Sequence, residues 1–140
     1  MKRTLAGGFE LDDDRGRIDR EEIHRYLSEE SYWARGRSRE VLDELIDGAA
    51  RVVGLYHDGR QIGFSRTLSD GHTQSYLADV YVHEDYRGRG LGVELVRFSV
   101  EEGPFVATKW LLHTADAHGL YRKFGFAEPD GRALERWSRA

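Results

Sequence analysis

The chain has 140 residues, of which 39% are hydrophobic and 33% charged, with a net charge of −4 and no cysteine. That length and mix suit one globular domain whose core needs no covalent staple, so residues 1–140 are read as a single domain. The missing thiol excludes disulfides, thiolate metal sites and a cysteinyl acyl-enzyme, and the acidic balance argues against nucleic acid as a partner, since non-specific binding leans on a basic surface.

Residues 1–8 carry basic side chains but no apolar core of a secretory signal. No apolar run approaches the roughly 20 residues of a membrane span, so a cytoplasmic protein with no membrane partner is expected. Residues 9–11 suit a short strand, followed by an acidic turn at 12–14. Asp19 is a good N-cap, Glu22 completes a capping box, and Ile18 and Ile23 are spaced for a hydrophobic staple. Ile23, Tyr26 and Leu27 continue the helical stripe. Gly36 interrupts, and Ser38 can cap a second helix carrying Val41, Leu42, Leu45 and Ile46, ending near Gly48.

An extended stretch at 51–57 then meets Asp58-Gly59, a strong two-residue hairpin turn. The return strand is expected at 60–68 and a third strand at 75–82, rich in aromatic and β-branched residues. After a Gly-rich turn, a helix to about Glu102 offers Leu91, Leu95, Val96, Phe98 and Val100 for burial, until Gly103-Pro104 stops it. A strand at 110–113, a short helix at 116–124 and two last short strands at 126–128 and 133–137 complete the chain. The order β-α-α-β-β-β-α-β-α-β-(β) implies an α/β (α+β) fold. Its central sheet is mixed but mostly antiparallel, with about six to seven strands and about four helices.

The sharpest signal is Arg87-Gly88-Arg89-Gly90-Leu91-Gly92, between a strong strand and a helix. A helix start leaves backbone N–H groups unpaired and carries partial positive charge. Glycines let a phosphate approach that backbone, and Arg87 and Arg89 can add charged hydrogen bonds. A dinucleotide fingerprint fails, because its last glycine would fall at Val93 or Leu95. A Walker loop fails for want of Gly-Lys-Ser/Thr. Arg-x-x-Gly-x-Gly, at Arg87, Gly90 and Gly92, does fit.

That pattern resembles the coenzyme A pyrophosphate loop of the GNAT N-acetyltransferase superfamily. Residues 79–92 match the superfamily's strand, acidic loop, Arg-Gly turn and helix in order, and Leu120-Tyr121-Arg122-Lys123-Phe124-Gly125-Phe126 resembles its second hallmark. The likeness covers roughly residues 31–128, which resemble a subgroup of small bacterial GNAT proteins. It implies the GNAT fold, acetyl-CoA as the cofactor and an acetyltransferase that acts on a primary amine by direct transfer in a ternary complex. The acceptor it implies is a small-molecule or peptide amine. Dimers are common in the superfamily, which leaves a homodimer open.

Carried over residue by residue, the resemblance implies that pantetheine lies against the backbone of Val80, Tyr81 and Val82, and the pyrophosphate against Arg87, Gly88, Arg89, Gly90, Leu91 and Gly92. Tyr121 matches the general acid that protonates the leaving thiolate and also touches the cofactor. Thr114 falls where many relatives carry a cofactor-binding Asn. Asp79 is the best carboxylate for a general base, set against a structural hydrogen bond; strand alternation would put its side chain alongside Leu77 and Tyr81. His113 and His118 flank the region, and the histidines show no metal-ligand spacing, so no metal is expected. Tyr32, Trp33, Arg35 and Arg66 are candidates for the acceptor pocket. The alternative is a catalytically weak acyl-CoA-binding regulatory protein on the same fold.

Overall fold

The computed structural model describes residues 1–139. Six strands form one sheet in chain order. They are β1 (Lys2–Leu5), β2 (Phe9–Asp12), β3 (Arg51–His57), β4 (Arg60–Ser69), β5 (Gln74–Val82) and β6 (Lys109–Leu111). Four α-helices accompany them: α1 (Arg20–Glu29), α2 (Arg39–Gly48), α3 (Leu91–Val100) and α4 (His118–Arg122). Every neighbouring pair is antiparallel except β5 and β6, which α3 joins as a parallel crossover.

Two apolar layers cover the sheet. On one face α1 and α2 bury Ile23, Tyr26, Leu27, Leu42 and Ile46 against Val52, Phe64 and Tyr81. On the other, α3 sets Leu91, Leu95 and Phe98 against Leu11, Val53, Leu55 and Ile62. Farther along that face Val96 and Val100 of α3 meet Leu77 and Tyr121. Burying each large apolar side chain contributes about 1.5–3 kcal/mol, whereas a cap contributes about 1 kcal/mol. The stripe on α1 therefore decides where the helix docks, and the cap decides only where it starts.

The expected caps form, with one change of partner. The carboxylate of Asp19 accepts from the Glu22 amide at 3.1 Å, and Ser38 Oγ from the Val41 amide at 3.1 Å. The Glu22 side chain does not close the box; it pairs with Arg25. The Asp19 amide instead donates to Gln61 Oε1 on β4 at 2.7 Å. A strand side chain thus replaces the local partner and ties α1 to the sheet.

The ends of the chain depart from the sequence reading. β1 was not anticipated, although Gly7 and Gly8, both at positive φ, supply a hairpin turn between it and β2. Residues 126–128 and 133–137 form no strands. A strand needs a partner ladder, and β6 offers one only three residues long. Pro129 lacks an amide hydrogen, and the segment spends its charges locally, in Arg122–Glu128 and Arg132–Asp130 pairs. Among the described residues no helix is long and apolar enough to cross a membrane.

Candidate active site

β5 is held differently along its length. Gln74, Ser75 and Tyr76 pair with Lys109, Trp110 and Leu111 of β6. Beyond them β6 ends, and residues 77–82 have no strand partner on that side among the described residues. On the other side β4 follows β5 along its length. Gly63 makes the close approach possible, because a Cβ there would lie 2.9 Å from the Tyr81 carbonyl oxygen.

The β4–β5 ladder breaks once. Phe64 faces Tyr81 and Arg66 faces Ala78, so Asp79 and Val80 share one partner, Ser65. This is a β-bulge, with Asp79 in the left-handed region at φ 55°. An inserted residue inverts the inside–outside alternation. Leu77 packs on the α3 side, whereas Asp79 turns to the α1–α2 side with Tyr81. The expectation that Asp79 lies alongside both Leu77 and Tyr81 is therefore corrected: it shares a face with Tyr81 alone.

The Asp79 carboxylate is fully engaged. Oδ1 accepts from Trp33 Nε1 at 2.9 Å, and Oδ2 accepts from Arg37 Nη1 at 2.9 Å and Arg66 Nε at 2.8 Å. Its side chain is only 2% exposed. A left-handed conformation costs an L-residue about 1–2 kcal/mol; charge-assisted hydrogen bonds to two guanidiniums offset it. Trp33 and Arg37 both belong to the loop joining α1 to α2, so one carboxylate fastens that loop to the bulge.

The same loop reaches across the open end of β5. Tyr32 Oη accepts from the Ala115 amide at 2.9 Å, which links the loop to the segment after β6. The Tyr32 and Trp33 rings meet edge to face and stay partly exposed. Of the acceptor candidates, Trp33 and Arg66 thus share one network and Tyr32 stands beside it. Arg35 is exposed at the surface, and Arg37, which the sequence reading passed over, takes the place in the network.

At the far end of β5 the Gly-rich turn opens α3. Gly90 is its N-cap, at φ 76°, and no side chain caps the helix. The first helical hydrogen bond runs from Glu94 to the Gly90 carbonyl at 3.2 Å, so the amides of Leu91, Gly92 and Val93 have no intrahelical acceptor. A Cβ at Gly88 or Gly90 would meet nothing within 4 Å. These glycines answer the backbone dihedral and leave open space over the amides. Arg87 donates to Tyr26 Oη at 2.9 Å, which anchors the turn on α1, and Arg89 lies over the Tyr86 ring.

Tyr121 approaches from α4. Its ring is buried with Leu77, Val96 and Val100 and meets Phe126 edge to face. It lines a cavity of about 880 Å³ together with Trp110, Leu112, Thr114 and Phe124. Burial pushes its phenol up to about 12, and Tyr32 and Asp116 act in the same direction. Thr114 Oγ1 accepts from the Ala117 amide at 3.2 Å and closes the turn before α4.

Residues 48–128 match the model of the acetyltransferase (GNAT) domain. The chain belongs to the GNAT family. A GNAT-family protein from Xanthomonas campestris pv. campestris is 33% identical and superposes with a TM-score of 0.87 over 93% of each chain. A structure from Deinococcus radiodurans R1, 23% identical, shares the fold with a TM-score of 0.74 over 97% of this chain and 94% of its own. The uncharacterized N-acetyltransferase ycf52 of Porphyra purpurea is 33% identical over 75 residues, which is 51% of this chain and 43% of that protein. A ycf52-like relative from Prochlorococcus marinus is 31% identical over 100 residues, 69% of this chain and 49% of that protein. The GNAT chain spans about half the length of the curated relatives it matches.

One further cluster of this GNAT chain escaped the sequence reading. Tyr76 Oη lies 2.6 Å from His113 Nδ1, and His113 Nε2 lies 2.5 Å from Glu135 Oε2. Strand pairing could have suggested the first contact. No local signal marks Glu135, which sits in irregular chain.

Proposed function

We propose that the protein transfers the acetyl group of acetyl-CoA to a primary amine, by direct transfer with both substrates bound. One coincidence carries this reading. Within a single strand and the turn that follows it, an unpaired strand edge at 77–82 leads to three uncapped helix amides, with the Tyr121 ring beside the opening. An extended chain ending in a pyrophosphate needs that sequence of features: backbone groups along a strand, then an anion site at a helix start.

The residues fit acetyl-CoA. The open space over Gly88 and Gly90 admits a phosphate to the amides of Leu91, Gly92 and Val93. Arg87 and Arg89 lend positive charge on the exposed side. The free edge of Val80, Tyr81 and Val82 offers peptide groups to the pantetheine amides. When bound, acetyl-CoA supplies an activated thioester. Backbone N–H groups at the bulge are suited to polarise its carbonyl. Tyr121 holds its proton through the neutral range because burial raises its phenol, so it is available to donate to the departing sulfur. The exposed rings of Tyr32 and Trp33 offer an apolar wall to the acceptor.

Asp79 is assigned a positioning role. Its oxygens receive N–H donors, two of them from guanidiniums that do not give up a proton, and the carboxylate is out of reach of an amine. Calorimetric titration with acetyl-CoA, with NADH and ATP as controls, tests the cofactor. Release of free CoA in the presence of a panel of primary amines tests the transfer. Micromolar binding of acetyl-CoA alone, followed by amine-dependent CoA release, is expected. Equal binding of all three nucleotides, or none, would overturn the assignment.

A further inference from the structure

With Asp79 committed, the amine needs another proton acceptor. Leu111 is the last residue of β6 paired with β5, and its partner is Tyr76. Alternation along the chain keeps His113 on the same face as Leu111, and the 2.6 Å contact with Tyr76 agrees. That face is opposite to Leu112 and Tyr121, which pack on the α3–α4 side. At the point where β5 and β6 part, a phenol and an imidazole therefore stand on one side of the sheet and the proton donor Tyr121 on the other. That separation suits a transfer through the gap, in which a proton leaves nitrogen on one side and another reaches sulfur on the other.

We propose that Tyr76, His113 and Glu135 form the proton relay that deprotonates the acceptor ammonium, an inference that rests on the acetyl transfer argued above. Tyr76 Oη takes a proton from the ammonium nitrogen and passes its own to His113 Nδ1. The imidazolium formed is held by the Glu135 carboxylate at Nε2, and it sheds its proton to solvent, to which the side chain is 55% exposed. The nitrogen lone pair then forms the N–C bond as the C–S bond breaks. Tyr121 gives its proton to sulfur and takes one back from solvent, while the second nitrogen proton leaves by the same relay. The balance is ammonium plus thioester to amide, thiol and one released proton.

Tyr76 and His113 are the groups that move the proton, and Glu135 is a positioning residue. The other charges near Tyr76 are Arg66 from β4 and Asp79 from its own strand. Burial raises the Tyr76 phenol, and Glu135 and Asp79 act the same way while Arg66 opposes. The phenol thus stays protonated between turnovers, as a relay requires.

Nitrogen-15 NMR of histidine-labelled protein tests the geometry without turnover. His113 is expected in the tautomer protonated at Nε2, with an Nδ1 resonance that moves in Tyr76→Phe; an Nδ1 resonance unmoved by that change would overturn the relay. With the amine that best supports CoA release, His113→Ala is expected to lower kcat/KM by about 100-fold. Acetyl-CoA affinity should be unchanged, and added imidazole should restore part of the rate. Full activity in His113→Ala, or a loss that imidazole does not rescue, would also overturn it. A wild-type chain that binds acetyl-CoA but releases no CoA with any amine would sink the transfer and the relay together. Altered variants of an active wild type bear on the relay alone.

Discussion

The two edges of β5 are opposites in one strand. Toward β4 it is paired along its length, interrupted by one bulge whose carboxylate is fastened by three donors. Toward β6 it is paired over three residues and then open. The difference shows how a sheet acquires a binding slot without losing its order. One edge carries the stability and fixes the backbone, so the other can leave its peptide groups unpaired for a ligand. An open edge on both sides would expose a strand prone to pair with other chains.

Changes at the open edge should alter chemistry and leave the fold alone, and the largest of them is Tyr121→Phe. It keeps the buried ring and removes the proton donor, so turnover should fall about 10²–10⁴-fold, with little change in acetyl-CoA affinity by calorimetry. Full turnover would remove Tyr121 from the acid's role. Changes at the closed edge should do the reverse. Asp79→Ala strands the Arg66 and Arg37 charges and puts alanine at φ 55°; urea unfolding should show a loss of about 3–5 kcal/mol. Asp79→Asn tolerates that φ and should cost visibly less. Equal losses in the two variants would mean that the conformation contributes nothing.

Smaller effects refine the contrast. Arg87→Ala should weaken acetyl-CoA binding by about 1–3 kcal/mol through a lost charged hydrogen bond, and loss of the Tyr26 anchor should lower urea stability by only about 1 kcal/mol. Gly63→Ala crowds the Tyr81 carbonyl across the paired edge and should cost about 1–3 kcal/mol of stability. The smallest effect is in pH. The Tyr121 phenol rises on folding from 10 to about 12. Its contribution to stability is thus fully present below pH 10 and is lost as pH rises toward 12. Alkaline unfolding of Tyr121→Phe should lack that component.

Much of this was legible in the chain. Asp19 and Ser38 read as caps because a short polar side chain before an apolar stripe has few other uses. The Asp58-Gly59 turn and the β5 composition read as a meander, and the Gly-rich turn as an anion site, because each rests on residues within a few positions of one another. The bulge was invisible. Nothing in Leu77-Ala78-Asp79-Val80 announces an extra residue, which exists only relative to the register of β4. Arg37 looked no different from Arg35, and which of the two meets Asp79 depends on how the loop after α1 folds back over the sheet.

The sequence by itself determined the element order from β2 to α4, the starts of α1 and α2, the anion-binding turn and the tyrosine on α4, since local propensity, capping and backbone freedom are properties of neighbours along the chain. Only the tertiary structure decided the rest: the bulge that turns Asp79 to the α1–α2 face, the engagement of its carboxylate, the three-residue limit of the β5–β6 ladder, and the meeting of Tyr76, His113 and Glu135. Those depend on contacts between residues 12 to 46 positions apart, and such contacts arise from packing and register, which no local segment encodes.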